Sequence, residues 1–205
     1  MNKRIAILIS YVFHPIFLVP LMAACLLYWT PGLYLGVFPE EKLRAILTIT
    51  LNTVFFPLIT VLLARALQFI KSLQMRDRRD RIIPYVATLT WYFWAWRVMN
   101  YLPGNPPPMV AMLFGVFLSA SAGLVLNSFL KISMHTIGVG GLVMFILLLG
   151  WQGAQGTALF LALAFLIAGL VWTARASVSD HTRRELALGF LVGMACQVMG
   201  TICFH

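Results

Sequence analysis

The chain has 205 residues, of which 61 % are hydrophobic and only 10 % are charged, and it carries a net charge of +9. Soluble domains carry roughly 25 % charged residues, so the composition excludes a soluble enzyme and predicts a protein that lives in a bilayer. At about 20 residues per span, the chain is long enough for six or seven spans and for little else. We therefore expect a single integral-membrane domain, 1–205.

Backbone polar groups must pair internally in lipid, and the long apolar runs show no strand-like alternation, so the spans are predicted to be helices. The expected fold is an all-α, polytopic transmembrane helix bundle, with seven spans favoured over six. The predicted helices cover 5–29, 45–70, 84–102, 109–130, 137–151, 157–174 and the segment that follows Glu185.

Local residues add detail to these helices. His14-Pro15 predicts a kink in the first helix, because proline removes a helical hydrogen bond. The loop at 30–44, the proline-rich turn at 103–108 and the glycine-rich turn at 152–156 separate other helices. Gly138, Gly140 and Gly141 would let the fifth helix approach a neighbour closely. We expect His14 itself only to kink or pack the helix.

Three polar breaks interrupt the apolar sequence, at 71–81, 131–135 and 175–185. With seven spans, all three emerge on the side of the N-terminus and can meet in space. Most basic residues lie on this side, which favours a cytoplasmic position in a bacterial inner membrane, although phosphate binding would select the same cations. Anionic membrane lipids and phosphorylated lipids are the natural partners of this charge, and no basic-aromatic segment suggests nucleic-acid binding.

The third polar break has the most informative spacing. Arg175 lies six residues before His181, and Glu185 lies four residues after it. On a helix, His181 and Glu185 would share a face, so the carboxylate could hold one imidazole nitrogen and leave the other for a substrate. An arginine can grip a phosphate with its planar fork of donors. With His135 in the second break, these residues suggest phosphoryl transfer through a phosphohistidine.

The arrangement resembles the type 2 phosphatidic acid phosphatase family, which shares its core with vanadium haloperoxidases. The family's third motif, Ser-Arg-x5-His-x3-Asp, is matched by Arg175, His181 and Glu185, with Ala174 in place of serine and glutamate in place of aspartate. The resemblance runs from about Lys71 to Glu185, within a family-like core of about 71–190.

The other two family motifs are altered. In the second, Pro-Ser-Gly-His, Ser133 and His135 match, but Ile132 and Met134 replace proline and glycine. In the first, Lys-x6-Arg-Pro, Lys71 and Arg78 have the family spacing, but an arginine stands where proline is expected. The first motif is therefore either the Lys71–Arg78 pair or is rebuilt around Arg78 and Arg81.

The resemblance implies a role for each residue. His181 would be the nucleophile, Glu185 would fix its tautomer and His135 would be the general acid. Cations and a hydroxyl would surround the phosphoryl oxygens, without a metal or another cofactor. These substrate-binding residues would be Arg175, Ser133, Lys131, Arg78, Arg81 and Lys71.

The resemblance thus implies an integral-membrane lipid phosphatase or pyrophosphatase, acting on a phosphate monoester or diphosphate. The alternative is a non-catalytic membrane protein, either a small transporter or an assembly protein that binds lipid phosphate. Charges within a membrane usually mark a transport pathway, whereas these charges gather at helix ends. The altered motifs keep a binding protein without hydrolytic activity open.

Overall fold

The computed structural model describes residues 1–34, 37–70, 82–179 and 181–204, and within these ranges it contains helices and turns but no strand. The all-α helix bundle expected from the sequence is confirmed. The helices are α1 (Lys3–Val12), α2 (Pro15–Trp29), α3 (Pro39–Thr50), α4 (Phe56–Ala66), α5 (Ile82–Tyr101), α6 (Pro107–Phe129), α7 (Met134–Trp151), α8 (Thr157–Val178) and α9 (Arg183–Cys203).

Five of the helical segments are long and apolar enough to cross a membrane: Pro39–Ala66, which joins α3 and α4, and the helices α6, α7, α8 and α9. Helices α1 and α2 form a sixth candidate if they are counted as one span, which would be bent by 52° at the break between them. Helix α5 does not belong to this set, because Arg97 and several tyrosine, threonine and tryptophan side chains lower its hydropathy. Length and composition therefore support five spans, or six with the bent pair, in the described residues, which agrees with the lower of the two expected counts and not with the favoured seven.

The kink predicted at His14-Pro15 is confirmed. Helix α1 ends at Val12, and the imidazole Nδ1 of His14 accepts a hydrogen bond from the amide of Ile16 at 3.4 Å, which caps α2. Pro15 occupies the first position of α2, where its missing N–H costs nothing because no helical partner would exist there. The break therefore ends one helix and starts the next within two residues.

The predicted loop 30–44 is too long, because α3 already begins at Pro39. Proline suits the first helical position, and the carboxylate of Glu41 accepts a hydrogen bond from the amide of Phe38 at 3.2 Å. Polar residues that we assigned to a loop are therefore the first turn of a helix. The chain then continues through a π-helical turn, Leu51–Phe55, into α4.

Glycine contacts bring α9 against α7. A Cβ atom on Gly140 would overlap the carbonyl oxygen of Phe190, and one on Gly193 would overlap the carbonyl oxygen of Ile137. Small residues allow this approach of backbones between membrane helices, as the sequence predicted for Gly140. The contact places the beginning of α9 beside the beginning of α7, which is where the second and third polar breaks lie.

Replacing Gly193 with alanine is expected to destabilise the bundle by about 1–3 kcal/mol, because the new methyl group overlaps the backbone of α7. Gly169→Ala is the matched control: Gly169 is exposed on α8, and a methyl group added there would meet no atom within 4 Å. Alanine favours a helix over glycine by roughly 0.5–1 kcal/mol, so this variant should be neutral or slightly more stable. Thermal unfolding in one detergent compares the two, and equal midpoints would contradict the packing.

Candidate functional site

The second and third polar breaks meet at the peptide of Lys131. The ring Nδ1 of His181 lies 2.8 Å from the carbonyl oxygen of Lys131. On the other side of this residue, the amide of Lys131 donates to the Glu185 carboxylate at 3.2 Å. Both bonds join residues that are far apart in the sequence, so the expectation that these two breaks come together is confirmed.

Glu185 also takes part in the capping of α9, whose N-cap residue is Thr182. Its carboxylate accepts hydrogen bonds from the amide of Thr182 at 2.8 Å and from the Thr182 hydroxyl at 3.1 Å, and its own amide donates to that hydroxyl at 3.2 Å. This reciprocal pattern is a capping box, and the helix dipole adds to the stability of a carboxylate at this position.

The prediction that His181 and Glu185 share a face of one helix is wrong, although the two side chains do lie close together. Thr182 is the N-cap of α9, so His181 precedes the helix. The two side chains still approach, with 3.9 Å between Nδ1 of His181 and the carboxylate. The capping box turns Glu185 back toward the start of the helix, and this local geometry replaces the helical spacing as the cause of the contact.

The contact with Lys131 defines the tautomer of His181. A carbonyl oxygen only accepts, so Nδ1 must carry the proton, and a neutral imidazole then has its lone pair on Nε2. The His181 side chain is 3 % exposed and that of Glu185 is 18 % exposed. The imidazole is therefore oriented, and it lies below the protein surface.

Ser133 is fully buried and is the N-cap of α7. Its hydroxyl accepts a long hydrogen bond, 3.5 Å, from the amide of Thr136, and its carbonyl accepts from the Thr136 hydroxyl at 3.0 Å. This cap starts α7 at Met134 and not at 137, which puts His135 on the helix. The role of Ser133 in phosphate binding stays a prediction.

His135 joins this region to the break between α1 and α2. Its Nε2 lies 3.0 Å from the carbonyl oxygen of Ser10, so Nε2 is the donor. Its ring also packs edge-to-face against the ring of His14, with 5.1 Å between centroids. The expectation that His14 kinks or packs the helix is confirmed, and the ring that it packs against is that of His135. No local signal in the sequence connects His14 with His135, because the contact depends on how the break is packed.

Arg175 lies on the last turn of α8, which continues to Val178 and does not stop at 174 as predicted. Its guanidinium interacts electrostatically with His14 and His135, and His135 interacts in the same way with His181. We call the five residues that come together here the polar cluster: His14, His135, Arg175, His181 and Glu185.

The remaining candidates are less informative. Lys71, Arg78 and Arg81 of the first polar break lie outside the described residues. In the described ranges, no three His, Cys, Asp or Glu side chains are grouped closely enough to hold a metal ion.

Comparison of the chain with known protein families, with curated proteins and with solved structures finds no significant match. A functional assignment therefore depends on the polar cluster, on the membrane fold and on the motif resemblance.

Proposed function

We propose that this protein is an integral-membrane lipid phosphatase or diphosphatase that works through a phosphohistidine on His181. The main support is the orientation of that ring. Its Nδ1 donates to the Lys131 carbonyl at 2.8 Å, and a carboxylate lies 3.9 Å away. The tautomer needed for attack by Nε2 is therefore the one that the surrounding chain favours.

In the proposed reaction, Nε2 of His181 attacks phosphorus while the bond from phosphorus to the leaving oxygen breaks. The imidazolium that forms keeps its Nδ1 proton on the Lys131 carbonyl and is stabilised by Glu185. Once the negative charge of the substrate phosphate is in the site, His135 takes up a proton on Nδ1 and donates it to the leaving oxygen, because its Nε2 proton is on the Ser10 carbonyl. Arg175 supplies positive charge to the phosphoryl oxygens.

The second half of the reaction returns the protein to its starting state. His135 accepts a proton from water through Nδ1, and the water oxygen attacks phosphorus. The phosphorus–nitrogen bond breaks, its electron pair returns to Nε2 of His181, and inorganic phosphate is released together with the proton on Nδ1 of His135. The positive charge that this chemistry needs is provided by side chains, so the reaction uses no divalent cation.

The location of the polar cluster supports a lipid substrate. It lies where α6 and α8 end and α7 and α9 begin, and each of these helices is apolar enough to cross a bilayer. A phosphate at this level would leave an acyl or prenyl tail in the hydrocarbon. We place the protein in a bacterial inner membrane with the cluster facing the cytoplasm, on the basis of its basic residues.

A second function, binding of a lipid phosphate without hydrolysis, is favoured by one set of observations. Ser133 caps α7, Glu185 completes the capping box of α9, and His181 is 3 % exposed with its Nδ1 on a backbone carbonyl. These hydrogen bonds give all three residues a structural role. A protein that only binds phosphate would need the cations but not an accessible nucleophile.

Release of inorganic phosphate from a panel of lipid monophosphates and diphosphates separates the two functions. We expect the purified protein to release phosphate equally with and without EDTA, and vanadate to inhibit it because vanadate imitates five-coordinate phosphorus. A soluble phosphate ester without a lipid tail is the control and should be a poor substrate. A strict requirement for magnesium would contradict the mechanism, and binding of a lipid phosphate without release would favour the second function.

A further inference from the structure

The break between α1 and α2 leaves a backbone carbonyl available. In a continuous helix, the carbonyl of Ser10 would accept from the amide of His14. That amide instead donates to the carbonyl of Tyr11 at 3.3 Å, and Pro15 has no N–H to offer. The Ser10 carbonyl is therefore one of the acceptors that a helix end leaves without a helical partner. Nε2 of His135, at 3.0 Å, fills this position.

His14 is held in place by the same break. Its Nδ1 accepts from the amide of Ile16 at 3.4 Å, and its ring also packs against Phe17, with 6.4 Å between centroids. The planes of the His14 and His135 rings are 84° apart, which is a favourable edge-to-face geometry for two rings in contact. His135 is thus fixed at one nitrogen by a backbone carbonyl and on its ring by an anchored neighbour.

From these contacts we propose that His14 is a positioning residue for His135: it holds the ring so that Nε2 stays on the Ser10 carbonyl and Nδ1 is the nitrogen presented for proton transfer. The catalytic consequence rests on the proposed function, whereas the orientation of the ring does not. The two imidazole nitrogens are separated by one ring carbon and their lone-pair or N–H directions are fixed relative to each other, so holding Nε2 and the ring plane also sets the direction of Nδ1.

Two substitutions separate this role from the capping of α2. Asparagine is among the best N-cap residues, so His14→Asn keeps the cap and removes the ring contact. Phenylalanine keeps a ring against His135 but cannot accept from the amide of Ile16, so His14→Phe keeps the contact and removes the cap. The two variants are therefore expected to show opposite defects.

The first measurement is the ¹⁵N spectrum of the imidazole nitrogens, with the His135 signals assigned by a His135→Gln variant. In the parent and in His14→Phe, Nε2 of His135 should be the protonated nitrogen. In His14→Asn, the signals should shift toward a mixture of tautomers. This measurement does not depend on activity, so it tests the proposal even if no lipid phosphate is hydrolysed, an outcome that would reject the proposed function alone.

The second measurement is the kinetics of phosphate release together with thermal unfolding. We expect His14→Asn to unfold near the parent midpoint and to lose about 10- to 100-fold in kcat, with KM nearly unchanged. His14→Phe should unfold at a lower temperature but keep a kcat close to that of the parent. Parent-like tautomers and kcat in His14→Asn would overturn the proposal, and so would a raised KM with unchanged kcat in both variants, which would indicate direct substrate contact.

Discussion

Phosphate release is expected to fall by a factor on the order of 10⁴ or more in His181→Asn, because the variant lacks the nitrogen that attacks phosphorus. Asparagine is chosen because its amide nitrogen can replace Nδ1 as donor to the Lys131 carbonyl, a contact of 2.8 Å in the parent. The hydrogen bond that connects the third polar break to the Lys131 carbonyl of the second should then persist. Steady-state kinetics measures the loss, and thermal unfolding shows that the variant is folded.

The matched comparison is Glu185→Gln. Glutamine has one acceptor oxygen, which can accept either from the Thr182 amide of the capping box or from the Lys131 amide, but not from both. The variant therefore loses the negative charge near the imidazolium and one hydrogen-bond acceptor, and we expect a loss of about 10- to 100-fold, well below that of His181→Asn. Activity of His181→Asn within tenfold of the parent would remove His181 as the nucleophile.

Trapping the phosphohistidine intermediate is a second, independent test of His181 as the nucleophile. A phosphoryl group on an imidazole nitrogen is labile in acid and stable in base, unlike a serine ester. Brief reaction with a ³²P-labelled lipid phosphate should therefore label the parent protein in an acid-labile form and leave His181→Asn unlabelled. Label that is stable in acid would indicate a different nucleophile, even if His181→Asn and Glu185→Gln both proved inactive.

Much of the fold follows from the sequence, because apolar runs in lipid have few alternatives to a helix. Proline chemistry locates the His14-Pro15 kink, and it locates the turn before α6, although α6 begins at Pro107 and not at 109. The errors lie at helix ends. Helix α3 begins at Pro39 and α7 at Met134, since Phe38–Glu41 and Ser133 supply caps in stretches that composition alone assigns to loops.

The site was predicted only in part. The spacing of His181 and Glu185 singled out two side chains that do lie together, with 3.9 Å between Nδ1 and the carboxylate. The order of the helices also predicted that the second polar break would lie near the third. The sequence did not show that the backbone of Lys131 would be the point of contact. That contact depends on how closely α7 and α9 pack, which is set by glycines such as Gly193 much farther along the chain.

His14 shows the limit of sequence reasoning most clearly. A histidine before a proline is explained locally as a helix cap, and the structure does use it in that way. Its second contact, with His135, arises because the break leaves the Ser10 carbonyl open and α7 begins beside it. Three separate segments must pack before that contact exists, so no motif within one segment could indicate it.

Arg175 provides the second large expected effect. Arg175→Ala should lower kcat/KM by about 10²- to 10³-fold, because it removes a cation from the site where phosphoryl charge increases in the transition state. Arg175→Lys should recover part of the loss, since lysine restores the charge but not the planar fork of donors. The control is Arg183→Ala: Arg183 is exposed on the first turn of α9, and its loss should change kcat/KM by less than about threefold.

The comparison of Arg175 with Arg183 decides what the basic residues of the third polar break do. Both arginines lie near the ends of apolar helices, so both would contribute to membrane orientation through their charge. Of the two, Arg175 is the one on the last turn of α8, where it interacts electrostatically with His14 and His135. If the charge serves orientation alone, the two alanine variants should behave alike, with small and equal effects on phosphate release. If Arg175 belongs to a phosphate site, its loss should also weaken inhibition by vanadate, whereas Arg183→Ala should leave that inhibition at the parent value.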